Sequence, residues 1–178
     1  MTPGVLVNEV SRTVEKQKRG RKESKFLVRK APGGYIRCMP KPLTYNATLA
    51  ERIDLTDALT TFKVTPDETL SDPAWFVPGQ YVVLGMNNEA DPDKGSVRRA
   101  MSIVSAPQEV DSLEFYIRYV SRPESDNPLT HLLWETKAGD RLFMTTRPAG
   151  VFTVPKCLGE DDKRLKVCVA AGTGLAPF

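Results

Sequence analysis

Three short stretches of the 178-residue chain carry side chains suited to chemistry. The first is Arg98-Arg99-Ala100-Met101-Ser102, two guanidinium groups followed by a small residue, a thioether and a hydroxyl. Arginine is always charged and presents a planar fork, so Arg99 can hold a phosphate through two parallel hydrogen bonds. The second is Asn127-Pro128-Leu129-Thr130. Asparagine is a good N-cap and proline suits the first helical position, so a helix is predicted to open at Asn127. Its first turn leaves backbone N–H groups free at the positive end of a dipole, an anion site. Pro128 has no N–H, which leaves Leu129 and Thr130 as donors, helped by the Thr130 hydroxyl. The third stretch is Gly172-Thr173-Gly174, reached through an apolar run over residues 165–170. A strand entering a glycine turn is how a parallel α/β nucleotide-binding domain begins, with a dinucleotide phosphate approaching the bare backbone. A tight strand–helix corner produces the same pattern.

The remaining reactive side chains group poorly. His131 is the only histidine, so no two-histidine metal site or triad can form, and a structural role is expected. Cys38, Cys157 and Cys168 are scattered, with no Cys-x-x-Cys pair. That argues for a reducing compartment, the cytoplasm, and against a disulfide scaffold or an iron–sulfur cluster. Cys168 is expected to be buried, inert packing within the run over residues 165–170. Arg98 is read as a solvent-facing charge, and Trp75 and Trp134 as core or interface packing.

The elements that must position these groups are short strands broken by turns. Strands are expected at 47–53, 59–64, 80–86, 99–105, 113–120, 141–145 and 151–154, with turn residues Pro78-Gly79, Asp91 to Gly95 and Gly139-Asp140 between them. One helix follows Asn127 and runs through Trp134. Many short strands with a single helix indicate a closed antiparallel barrel. Residues 165–170 show no polar alternation beyond Lys166, as expected of a strand buried on both faces of a parallel sheet.

Hydrophobic residues make up 40% of the chain and charged residues 26%, ordinary values for a globular protein with one full core. No apolar run is long enough to span a bilayer, and the N-terminus carries no apolar signal segment. The net charge of +3 is uneven. Residues 1–40 hold ten basic and three acidic side chains, a charge of +7 that leaves −4 for the remainder. The basic excess belongs to an extension whose residues 16–25 are nearly devoid of apolar groups and are expected to be disordered. A solvated tail is favoured over a nucleic-acid contact. Residues 25–37 are read as a small hairpin around Pro32-Gly33-Gly34.

From Pro40 onward the chain resembles the ferredoxin–NADP reductase superfamily (FAD-binding FR-type), and within it the bacterial ferredoxin/flavodoxin–NADP reductases. The resemblance rests on motifs in order: Pro78-Gly79-Gln80-Tyr81, Arg99-Ala100-Met101-Ser102, Leu113-Glu114-Phe115-Tyr116, Pro128-Leu129-Thr130, Gly150-Val151-Phe152, and Ala171-Gly172-Thr173-Gly174-Leu175-Ala176-Pro177. It implies a mainly β fold, an antiparallel Greek-key barrel with one helix, followed by the first strand of a truncated parallel α/β domain. The implied divisions are a basic extension at 1–40, an FAD-binding barrel at 41–164, and the first strand and phosphate loop of an NAD(P)-binding domain at 165–178. By resemblance, Arg99, Leu129 and Thr130 hold the FAD pyrophosphate, and Ala100 and Pro128 also contact the cofactor. Met101 and Tyr116 lie on its rings, and Ser102 is the catalytic residue, bonded to the flavin nitrogen that accepts hydride. Arg99 and Ser102 are an odd number of positions apart, so reaching one cofactor implies a local irregularity in their strand. Gly172, Thr173 and Gly174 would meet NADP, with Thr173 where flavin and nicotinamide join. Met101 departs from the family, which has a tyrosine there; a thioether covers the ring but cannot π-stack.

The implied activity is electron transfer between NADPH, FAD and ferredoxin or flavodoxin, an acidic redox partner steered by the basic tail. No membrane or nucleic-acid partner is expected, and the 178 residues alone are expected to lack NADPH turnover. The alternatives are a reductase of the same superfamily serving an oxygenase or other acceptor, and a non-catalytic flavin-binding module.

Overall fold

The computed structural model describes residues 27–30, 36–39, 41–70, 75–109, 111–159 and 161–178. Most of the basic extension, including residues 16–25, lies outside them. Its expected hairpin is present in the backbone as β1 (Leu27–Lys30) paired antiparallel with β2 (Ile36–Met39); the Pro32-Gly33-Gly34 turn lies outside the described residues.

Six further strands form the body: β3 (Ala47–Thr56), β4 (Leu59–Pro66), β5 (Tyr81–Asn87), β6 (Ser96–Ser102), β7 (Leu113–Arg118) and β8 (Arg141–Met144). They lie in the order β6-β5-β8-β3-β4-β7, and every pairing is antiparallel. β4 bypasses β5 to pair with β7, and β8 returns between β5 and β3, the skipped connections of a Greek key. The two edge strands meet at a seam just beyond β6. There the Val104 N–H donates to the Glu114 carbonyl at 2.9 Å, and the Glu114 N–H donates to Ser105 Oγ at 3.2 Å. The sheet thus curls into a barrel, which removes most of the exposed edge.

Period-two patterning accounts for the core. In β4 and β7 alternate residues are buried, so Phe62 and Val64 meet Leu113, Phe115 and Ile117, all fully enclosed. Leu49, Leu84, Leu142 and Met144 complete that interior. A strap at residues 41–46 crosses the outside of β5. Leu43 N–H donates to Asn87 Oδ1 (2.8 Å) and the Leu43 carbonyl accepts from Asn87 Nδ2 (3.0 Å). Tyr45 Oη accepts from the Asn87 N–H, and the Asn46 amide bonds both backbone groups of Met144. A Cβ at Gly85 would sit 2.7 Å from both Leu43 Cδ1 and Arg98 Cγ, so the missing side chain is the notch that lets strap and arginine stem lie on the strand.

Three stretches depart from expectation. Residues 151–154 are not a strand: a short helix, α2 (Val154–Leu158), follows Thr153, whose hydroxyl caps the Lys156 N–H. Pro155 removes a ladder donor but suits a first helical turn. α2 is therefore a second helix beside α1 (Leu129–Trp134). At the start of α1, Pro128 rather than Asn127 is the cap residue, with extended backbone. Residues 165–170 belong to no strand; Leu165, Val167 and Val169 are exposed, as is Cys168, which was expected to be buried. A parallel strand exists only between neighbours, and none of the described residues pairs with this segment. No helix among the described residues is long and apolar enough to cross a membrane.

Candidate functional site

β6 carries the first of the three reactive stretches. Its register with β5 is unbroken from Ser96↔Asn87 to Ser102↔Tyr81. The irregularity expected between Arg99 and Ser102 is therefore absent. Arg99 and Met101 share one face with Leu84 and Val82, their partners on β5, while Ala100 and Ser102 share the other with Val83 and Tyr81. Met101 is half-buried and packs on the core; Arg99, between it and buried Val97, is exposed. A long arginine stem can leave the core face and carry its charged head to water. Among the described residues the Arg99 guanidinium has no acidic partner, its one hydrogen bond being a long 3.4 Å contact to the Arg98 carbonyl. Arg98 points the other way, and its stem covers Gly85 as well as facing solvent. The Ser102 hydroxyl has no hydrogen-bond partner among the described residues.

The second stretch reaches β6 through α1, which packs against β5 and β6. Asn127 does not cap the helix because its side chain is engaged elsewhere. Its Oδ1 accepts from Asn88 Nδ2 at 2.7 Å, and its Nδ2 donates to the Lys94 carbonyl at 3.3 Å. This staple joins the loop entering β6 to the loop entering α1. It was not foreseen from the sequence, in which Asn88 carries no local signal. Leu129 is buried, and the first-turn N–H groups of Leu129 and Thr130 have no intrahelical acceptor. The Thr130 hydroxyl is the one buried side-chain polar atom among the described residues with no hydrogen-bond partner. An orphaned buried hydroxyl costs free energy unless something meets it.

His131, one residue further, is structural. Its ring stacks on Tyr119 (4.5 Å between centroids, 8° between planes), and Nε2 donates to the Val120 carbonyl at 2.7 Å. Trp134 tilts against the same tyrosine.

Tyr116 is half-exposed on β7, between enclosed Phe115 and Ile117 and paired with Thr61. The third stretch packs on that strand as a 3₁₀ turn, Gly172–Leu175. Gly172 takes φ = +54°, and a Cβ at Gly172 or Gly174 would meet nothing. Thr173 is half-buried, its carbonyl accepting the Ala176 N–H. The structure thus gathers the sequence-derived residues around the seam: Arg99, Met101 and Ser102 on β6, Thr130 on the helix beside it, Tyr116 and the glycine turn on the β7 side.

A separate cleft of about 550 Å³ opens between α2, Phe152 and residues 162–168, with Phe178 across it. Asp162 lines it and accepts from the Arg164 side chain and backbone, which hold its carboxyl down to about 2; Lys166 adds to the effect.

No family model matches the chain. Over 122 residues it is 34% identical to the ferredoxin–NADP reductase of Azotobacter vinelandii, covering 68% of this chain and 41% of that protein. It is 33% identical over 111 residues to the flavodoxin/ferredoxin–NADP reductase of Buchnera aphidicola, covering 58% of this chain and 39% of the relative. The chain therefore spans about two fifths of the length of these relatives. Among solved structures, the Amycolatopsis cytochrome P450 reductase GcoB superposes with a TM-score of 0.56 at 29% identity, covering 80% of this chain and 40% of that one. Barrel, motif order and these likenesses agree: the chain belongs to the ferredoxin–NADP reductase superfamily.

Proposed function

We propose that this chain is the FAD-binding part of a flavin-dependent oxidoreductase that passes electrons between NADPH and a one-electron carrier, ferredoxin or flavodoxin. The observation that carries the reading is a pair of unmet polar groups on packed elements. Arg99 is a cation without an acidic partner on β6, and Thr130 has an orphaned hydroxyl on the helix packed against β6. A pyrophosphate supplies the anionic oxygens both lack. In this reading residues 41–164 are the flavin domain. Residues 165–178 are the approach to, and the phosphate loop of, a nicotinamide domain, with residues 165–170 unpaired in this structure, and residues 1–40 are a basic extension that steers an acidic carrier.

FAD, when bound, supplies the exchange between two-electron hydride and single electrons. The residues of the chain bind, orient and shield. Arg99, Leu129 and Thr130 hold the pyrophosphate, with Leu129 and Thr130 giving backbone N–H groups, and Ala100 and Pro128 line the cofactor beside them. Met101 and Tyr116 cover ring surface, and Ser102, on the other face of β6 but at its very end beside the seam, offers its free hydroxyl to the reacting edge from there. Gly172, Thr173 and Gly174 meet NADP, where the open space around both glycines admits a close approach. The cysteine pattern fits a cytoplasmic protein.

A second reading, a reductase serving an oxygenase, is favoured by the likeness to the P450 reductase. Titration of the purified chain with FAD, followed by flavin fluorescence, tests the common part. Saturable binding is expected, weakened roughly 10- to 100-fold by Arg99→Ala, the value of one charge-assisted contact. The melting temperature of the flavin-free variant should not change, because Arg99 holds nothing else in place. Absence of FAD binding by a folded chain refutes the proposal. Comparing ferredoxin, flavodoxin and an oxygenase as acceptors in the whole protein separates the two readings.

A further inference from the structure

We infer that Arg52, on β3 and outside the flavin signature, is a positioning residue that sets Thr130 for the pyrophosphate. The inference rests on the reading of Arg99 and Thr130 given above. α1 is only six residues long and has no side-chain cap at its start. Helices that short do not hold their own shape, since about 12–15 residues are needed even in favourable sequences. Its place is fixed from outside, by burial of Leu129 and Leu133 and by whatever meets its last carbonyls.

Arg52 meets them. From the middle of β3, its Nη1 donates to the Trp134 carbonyl at 2.7 Å and to the Thr136 carbonyl at 2.8 Å. The guanidinium lies over the Trp134 ring, 5.0 Å from its centroid, and 5.9 Å from that of Phe62. Its Nε is tied to Asp54 Oδ1 at 2.8 Å, and that hydrogen bond lowers the Asp54 carboxyl below its usual range. One planar cation thus closes the C-terminal end of the helix, stacks on its last aromatic ring and is itself held by a carboxylate. A positive charge at this end also complements the helix dipole. Trp134 is one turn from Thr130, whose side chain has no hydrogen-bond partner to anchor it. The stacked Tyr119 and His131 pin the same turn from the loop after β7, so the helix is gripped at both ends.

Lysine keeps the charge of Arg52 but cannot bridge two carbonyls and stack on an indole together. The test is a double-mutant cycle on FAD affinity: the unaltered chain, Arg52→Lys, Thr130→Val and both together, with a thermal melt of each. Arg52→Lys is expected to weaken FAD binding about tenfold, the scale of one well-placed hydrogen bond to a charged group. In the Thr130→Val background the same change should cost less than about twofold, because the group it positions is gone. A loss of equal size in both backgrounds, which general loosening of the barrel would give, overturns the inference, as does unaltered affinity in Arg52→Lys. Should Arg52→Lys fail to fold, Asp54→Asn takes its place in the cycle, loosening the guanidinium without removing it. The unaltered chain distinguishes the two layers of the argument. If it is folded and binds no FAD, the flavin reading fails and the inference with it; if it binds and the cycle shows no coupling, only the inference fails.

Discussion

β6 and residues 165–170 are the two stretches that lead into the chemistry, and by residue type the wrong one is the strand. β6 reads Ser-Val-Arg-Arg-Ala-Met-Ser, with one β-branched residue and two adjacent charges, yet it pairs residue for residue with β5. Residues 165–170 read Leu-Lys-Val-Cys-Val-Ala, far richer in strand-forming types, and lie outside every sheet of the described residues, Leu165 being 91% and Val169 85% exposed. Strand preference measures fit to a pleated surface next to something; without a neighbour it has nothing to act on. β6 has β5 along its full length, and each inward residue meets a fixed partner. For function the contrast matters because β6 can hold Arg99 and Met101 in fixed directions, whereas the approach to Gly172 has no strand partner and is tied by Lys166 to Asp162 and, at its end, by the turn against β7.

The sharpest way to break this contrast is at the turn into β5. Gly79 has φ = +94°, and a Cβ there would lie 1.8 Å from the Phe152 carbonyl oxygen. Gly79→Ala is expected to lower unfolding free energy by about 3 kcal/mol or more, combining backbone strain with a clash against rigid backbone. A denaturant titration measures it. Gly172 also has positive φ, but with open space around it Gly172→Ala should cost only about 1 kcal/mol, the backbone preference alone. Smaller still, Val169→Asp should change stability by less than about 0.5 kcal/mol, since an exposed side chain loses nothing on becoming polar. A large loss there would mean that the segment is packed after all.

The gentlest probe is acid. The Asp162 carboxyl is held at about 2, below its ordinary 3.8, by its hydrogen bonds to Arg164. A lowered folded-state value means that the ionised carboxylate stabilises its loop above the ordinary value. That contribution fades as pH falls from near 4 through about 2. Carboxyl chemical shifts should therefore titrate with a midpoint near 2 and return toward 3.8 in Arg164→Ala, with the core signals unmoved.

How far the sequence could be read follows the same division. The barrel strands were legible because one face is core and the other is not, as the alternation in β4 and β7 shows. The alternation that sends Arg99 and Ser102 to opposite faces of β6 was legible too, but the irregularity expected to reunite them is absent. Two helix starts were misjudged. Thr153 followed by Pro155 was a helix signal, hidden by the apolar Val151, Phe152 and Val154 that imitate a strand. Asn127 had the right chemistry for a cap but is drawn to Asn88, 39 positions away, a competition that no local window contains. Arg52 stayed invisible for the same reason, its acceptors lying 82 and 84 residues downstream. Local rules found the groups that could react; the groups that aim them are set by contacts between distant parts of the chain.

The strap over β5 bears on where this unit can be cut. Counting strands would put its border at Ala47, but Leu43 is the peg that fills the Gly85 notch, and Asn87 has its side chain committed to that one residue. A shortened protein beginning at Ala47 would bare a backbone groove beside the flavin signature and leave an asparagine clasp with nothing to close on. The practical boundary of the module is a buckle several residues upstream of its first barrel strand, and any transplant of this barrel into another protein has to carry the buckle with it.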